Sequence, residues 1–337
     1  MTEATVVEPD FVVLGTIAVQ HGAIADLAVS TDGSTLVATH SGDGSVSIID
    51  TDAMTIDATV IVPGEPFMVT AADRRAYVAA AAQSRDAVAV IDTESKRVIA
   101  AHPLADSATD VAVSPDGTRV FAGQIGRTGA ALAVINTFGR VSTIDVAGGA
   151  GLTIDAVRVS PNGRLVYVAT SDADSGALLV VDAHEARVLH TVPIASPIRD
   201  VALTRDGALA YVASFDAHWG GSVDVIDTAI NEITAKVGIG GAPMQTALCP
   251  DGERLYIAAY EHVAVLCTET NSVVDTITVT AEPSCVAVSP DGGRLYIADQ
   301  NGAITVLSVA PDTSMLETEL MAMTAAPEVL ELEPAAV

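Results

Sequence analysis

The chain has 337 residues, half of them apolar but only 4% aromatic, so its core is built from Val, Ile, Ala and Leu; β-branched side chains at that density favour strands. A formal charge of −27 keeps the chain soluble and argues against nucleic acid or anionic membrane as a partner. Asp, Arg, Gly or Pro interrupts every apolar run before it reaches the ~18 residues that a membrane-spanning helix needs, so the apolar runs read as strands buried on both faces.

The first segment, "MTEATVVEPDF" at 1–11, is an acidic arm with no basic start, hydrophobic stretch or cleavage site. It carries no recognisable secretory signal, and a cytoplasmic location is expected. An apolar segment, "VVLGTIAV" at 12–19, follows. After it a turn signature recurs: "STDG", a degraded "TAAD", "SPDG", "SPNG", "TRDG", "CPDG" and "SPDG", ending at positions 33, 73, 117, 163, 207, 252 and 292. The spacings of 40, 44, 46, 44, 45 and 40 residues define seven units.

Each unit repeats one internal order. An apolar stretch such as "DVAVS" leads into the turn, where Pro suits φ near −65° and Gly supplies positive φ. A second strand such as "RLYIA" carries Phe121, Tyr167, Tyr211, Tyr256 or Tyr296. After a variable loop comes a third strand ending in an "IDT"-like phrase with Asp50, Asp92, Asn136, Asp182 or Asp227, a short acceptor that closes a tight turn. A fourth strand such as "SVVDTITV" completes the unit. Four strands in 40–45 residues is the signature of a propeller blade, and no helical periodicity is sustained before residue 312.

The seventh unit lacks its fourth strand, while residues 12–19 match 272–279 and have no first three strands before them. The expectation is an all-β, seven-bladed propeller of four-stranded blades over 12–309, its ring closed by the N-terminal strand 12–19, which hides an otherwise open edge. The remainder, 310–337, is an acidic tail in which Leu316, Leu320 and Met323 fit a short amphipathic helix.

The stretch "RLYIAAYEHVAVLCTETNSVVDTITVTAEPSCVAVSPDGGRLYIADQNGAITVL" at 254–307 resembles the YVTN-type β-propeller repeat, with its "LYVT/A", "VSVIDT" and "VVATIPV" strands. The resemblance extends over 12–309. It implies a propeller fold and a kinship with surface-layer proteins, lactonase-like seven-bladed proteins and propellers of redox enzymes with quinone-derived or haem cofactors. Many of those are exported.

Blade connectivity sorts the loops. The "SPDG" and "IDT" turns share one face, and the variable loops and interblade links share the other. His21, His40, His218 and His262 gather on the variable face, with Asp43, Asp172, Asp174, Asp216, Glu261 and Asp299 as acidic neighbours and Arg85, Arg127 and Arg199 as cations. Trp219, the sole tryptophan, sits in the longest of these loops, "SFDAHWGG". Either His21, His40, Arg199, Asp200, His218, Trp219, Glu261, His262 and Asp299 form a ligand-binding funnel, or they are polar because loops face water. Asp26, Asp110 and Asp200 hold equivalent places at the start of inner strands, suited to binding a cation at the channel mouth or to accepting N–H groups from the neighbouring blade.

No cofactor, metal or catalytic residue is predicted. The sequence has no GxSxG elbow, Walker loop, HExxH, CxxCH, His-x-His or His-x-x-x-His. "GIGGAP" at 238–243 and "VAGGAG" at 146–151 open no helix, and "DADSG" at 172–176 lacks the Glu that would complete a calcium loop. Cys249 and Cys267 fall on first and third strands, about 9.5 Å apart at ~4.8 Å strand spacing, beyond the roughly 7 Å reach of a disulfide; with Cys285 they read as reduced thiols. The functional expectation is a monomeric, non-enzymatic scaffold that binds a protein through its variable face, the alternative being a lactonase-like hydrolase that uses the funnel residues.

Overall fold

A computed structural model describes residues 11–279 and 281–309 of the chain. Seven four-stranded antiparallel sheets cover residues 24–61, 65–103, 107–148, 153–194, 198–238, 243–277 and, for the last, 283–309. The seventh sheet runs Pro283–Val288, Arg294–Asp299, Ala303–Val309 and then Phe11–Ala18. The N-terminal strand therefore completes the last blade, in a register from Phe11 opposite Val309 to Ala18 opposite Ala303. Val19 N extends the pairing to Gly302 O at 2.8 Å. The ring closes as expected, with the strand starting one residue earlier. The acidic tail and most of the N-terminal arm lie outside the described residues.

The turn chemistry explains why the units fold alike. Ser30 Oγ donates to Asp32 Oδ1 at 2.6 Å and accepts from Thr35 N at 3.0 Å. The same exchange recurs at Ser114 with Asp116 and at Thr204 with Asp206. The closing glycines, Gly33, Gly117, Gly163, Gly207, Gly252 and Gly292, hold φ between 66° and 82°. In the degraded second copy Asp73 takes that place at φ 50°, a conformation short polar side chains tolerate. The "IDT" aspartates cap their own turns, as when Asp50 Oδ1 accepts Asp52 N and Ala53 N. The threonine of the phrase ties the two turns of a blade together: Thr51 Oγ1 donates to Gly33 O at 2.6 Å and Thr268 Oγ1 to Gly252 O at 2.5 Å.

The core lies in the seams between blades. Ile17, Ile24, Leu27, Leu36, Tyr296 and Ile304 pack together where blade seven meets blade one. Burying each such side chain contributes roughly 1.5–3 kcal/mol, so closure rests on packing as well as backbone pairing. Phe11 adds to this by meeting Tyr256 of blade six edge-on, with ring centroids 6.2 Å apart. The innermost strands touch in sequence around the axis, and Pro283–Val288 returns to Ile24–Val29. Small residues there let the sheets converge.

Candidate functional site

The innermost strands read "DLAVS" from 26, "MVTAA" from 68, "DVAVS" from 110, "AVRVS" from 156, "DVALT" from 200, "QTALC" from 245 and "CVAVS" from 285. Beside the first residue of each phrase the pairing register with the second strand shifts. Such a bulge re-aims the following side chain. Here it turns four polar side chains toward the next blade. Asp26 Oδ2 accepts Val69 N at 2.7 Å, Asp110 Oδ2 accepts Val157 N at 2.6 Å and Asp200 Oδ2 accepts Thr246 N at 2.7 Å. Gln245 Oε1 accepts Val286 N at 2.9 Å. The three carboxylates also take the N–H of the residue that follows them. They are 3%, 1% and 3% exposed, and these bonds supply the partners that buried carboxylates require.

Arg158 adds a charge where five other blades have Ala. Its Nη1 donates to Asp110 at 2.8 Å and its Nη2 to Asp200, so one guanidinium spans blades three to five. Gln245 Nε2 donates to Asp26 Oδ1 at 2.6 Å. Asp26, Asp110, Arg158 and Gln245 line an axial cavity of about 250 Å³. Burial raises the pKa of Asp26 to about 7 against the hydrogen bonds from Val69 and Gln245. Burial likewise raises that of Asp110, opposed first by Arg158. Asp200 accordingly belongs to the axial ring, with its oxygens taken by Val201, Thr246 and Arg158.

The other sequence-selected residues occupy four blades or links. Arg199 is the extra residue of the bulge in blade five and is exposed. His218 and Trp219 ride on a turn held by Asp216 Oδ1, which accepts their backbone N–H groups at 2.7 and 3.0 Å. Trp219 is 90% exposed. Glu261 and His262 sit in the blade-six loop, and a Cβ at Gly241 would lie 3.5 Å from His262 Cε1. Asp299 is buried and caps its own turn by accepting Asn301 N and Ala303 N.

His21 and His40 do meet, with ring centroids 5.4 Å apart. His21 Nδ1 bonds Asp43 Oδ2 at 2.6 Å, and His40 Nε2 lies 2.9 Å from Ser47 Oγ. Among the described residues, no three His, Cys, Asp or Glu side chains gather as metal ligands. Cys249, Cys267 and Cys285 are all free thiols.

The WD domain, G-beta repeat family matches residues 13–50. That window starts in the closing strand and runs through three strands of blade one, so the sequence repeat straddles two blades. The chain is 37% identical to the seven-bladed beta-propeller protein Rv1057 of Mycobacterium tuberculosis, over 75% of this chain and 73% of the relative. It is 39% identical to a seven-bladed beta-propeller protein of Mycolicibacterium smegmatis, over 77% of this chain and 70% of the relative. The chain belongs to this family of seven-bladed β-propeller proteins.

Solved structures share the family's fold at greater distance. Kuenenia stuttgartiensis hydrazine synthase superposes with a TM-score of 0.78 at 22% identity, covering 93% of this chain and 100% of that one. The propeller domain of Myceliophteria thermophila Cps50 (Swd1) gives 0.75 at 15% identity, covering 89% of this chain and 100% of that one. These likenesses show the architecture alone.

Sequence reasoning did not single out Arg158, Gln245 or Ser47. An Arg in an inner-strand place that five other blades fill with Ala was the available signal for Arg158. Ser47 carries no local signal, because only pairing of the second and third strands brings it to His40.

Proposed function

We propose that the protein is a non-catalytic binding module that presents its variable loop face to a protein partner. The exposure of Trp219 carries this reading. Folding leaves the largest apolar side chain uncovered on a loop whose backbone is already held by Asp216. A rigidly mounted exposed Trp is the kind of anchor that dominates binding energy at an interface. The axial polar groups satisfy one another, which fits a scaffold better than a site awaiting a small substrate. Three free thiols support a reducing, cytoplasmic setting. Among the described residues no helix is long and apolar enough to cross a membrane. The YVTN resemblance of the repeats belongs to the same proposal, as does assignment of 310–337 to a tail.

The test compares the full chain with a His218→Ala/Trp219→Ala double variant, each immobilised in lysate of the source cells. The expected result is a defined protein retained by the first and lost by the second, with the two circular dichroism spectra equal. Turnover of a lactone or ester by the purified chain, with no partner lost on substitution, would transfer the assignment to the hydrolase reading.

A further inference from the structure

Blade one carries a histidine arrangement that neither the axial ring nor the Trp219 loop accounts for. His40, the last residue of Thr35–His40, is completely buried. Its Nε2 is engaged by Ser47 Oγ, and its Nδ1 has no hydrogen-bond partner. Leaving a buried ring nitrogen without a partner is unfavourable, so the fold keeps a donor atom there at a penalty. In the tautomer whose Nε2–H donates to Ser47 Oγ, Nδ1 presents a bare lone pair.

The His21 ring faces this one at 5.4 Å between centroids, tilted by 34°. Two imidazoles sharing a tetrahedral ion at ~2.1 Å metal–nitrogen distance hold their centroids about 5 Å apart. His21 uses Nδ1 to bond Asp43 at 2.6 Å, and its Nε2 makes only a long 3.4 Å contact with Thr59 Oγ1. A carboxylate on the far nitrogen of a histidine is the usual outer partner of a metal-bound imidazole, orienting the ring and raising its basicity. His21 is 31% exposed, which leaves that side open to an entering ion and to water.

We propose that His40 Nδ1 and His21 Nε2 bind one late first-row divalent cation, with Asp43 orienting His21, Ser47 orienting His40 and water filling the remaining positions. Imidazole ligands select zinc, nickel or copper over magnesium and calcium. The 18 residues between the two histidines hide the pair from any local motif. It forms only because the closing strand delivers His21 to the top of blade one.

The test is titration of the full chain with ZnCl2 and, separately, CuCl2, read by calorimetry, thermal midpoint and Cu(II) electron paramagnetic resonance. One zinc per chain is expected, with a midpoint that rises as zinc is added and nitrogen hyperfine coupling from two imidazoles. His21→Ala, at a partly exposed position, should weaken binding at least tenfold. Asp43→Asn should weaken it about 10–100-fold, and His218→Ala should leave it unchanged. Magnesium should not compete. Absence of zinc binding, binding unaffected by His21→Ala, or a copper spectrum lacking the imidazole pair would each overturn the assignment.

Discussion

At the axis, Asp26, Asp110 and Asp200 are almost wholly buried, and each accepts a backbone N–H from its own blade and another from the next. On the upper rim, Asp172 and Asp216 accept, among the described residues, from their own loops, and Trp219 stands in solvent. The same residue type thus does two jobs set by dielectric environment. A buried carboxylate that loses a partner leaves polar groups that water does not reach, whereas a rim carboxylate exchanges its loop bonds for solvent at small net cost. Axial residues hold the blades in register, and rim residues are free to differ from blade to blade.

The comparison is broken most directly at Asp200. Asp200→Ala removes the acceptor of Thr246 N and one of the two anions that flank Arg158. Removing one partner of a buried charge pair costs about 3–5 kcal/mol, which denaturant unfolding would register as a lowered midpoint. Arg158→Met should cost less, because Asp110 and Asp200 keep their backbone donors and Arg158 is itself 26% exposed. Combining the two should cost less than their sum, since the first already removes half of what the second deletes. An Asp200→Ala protein as stable as a rim variant would reduce the axial ring to ornament.

A second test uses pH. Burial places the folded-state pKa of Asp26 at about 7, above the ordinary 3.8 of an unfolded aspartate. Between those values the native state holds a proton that the unfolded chain has released. The Asp26 contribution to stability is therefore complete below pH ~4 and fades as pH rises through ~7. Asp26→Asn deletes that titration but keeps an acceptor for Val69 N. Stability of the wild type minus that of the variant should decline from pH 5 to pH 8. The turn aspartates, such as Asp116, whose hydrogen bonds from Ser114 and Thr118 hold its pKa near 2, are common to both proteins and cancel. A flat difference would mean that Val69 and Gln245 keep Asp26 ionised throughout.

Sequence made the ring legible because its determinants are local. The Ser-x-Asp-Gly turn closes within six residues through its own side chains, and the "IDT" cap within four. Closure was legible because 12–19 matched an outer strand while the last unit lacked one. The axial network was legible in part, since Asp26, Asp110 and Asp200 share a place in the repeat, and accepting interblade N–H groups was one of two roles they suited. Their partners were not legible: Arg158 reaches Asp110 across 48 residues and Gln245 reaches Asp26 across 219. The funnel list mixed environments for the same reason. His40 and Asp200 are buried while His218 and Trp219 are not, and loop assignment alone does not distinguish a strand's last residue from a turn's tip.

The smallest effect is expected at the most conspicuous side chain. Trp219→Ala should change unfolding free energy by no more than about 0.5 kcal/mol, as substitutions away from packed features do, because Trp219 is 90% exposed and Asp216 holds the turn through backbone groups that Ala retains. Tyr211→Ala in the same blade, at 1% exposure, should cost several times more, since a core aromatic leaves a cavity of about 3–5 kcal/mol. Side-by-side urea unfolding of the two variants measures the contrast. If Trp219→Ala lost stability on the scale of Tyr211→Ala, the loop would be packed in solution and would no longer be a free surface. The argument that folding leaves this Trp for a partner would then fall, while the axial ring would stand unchanged.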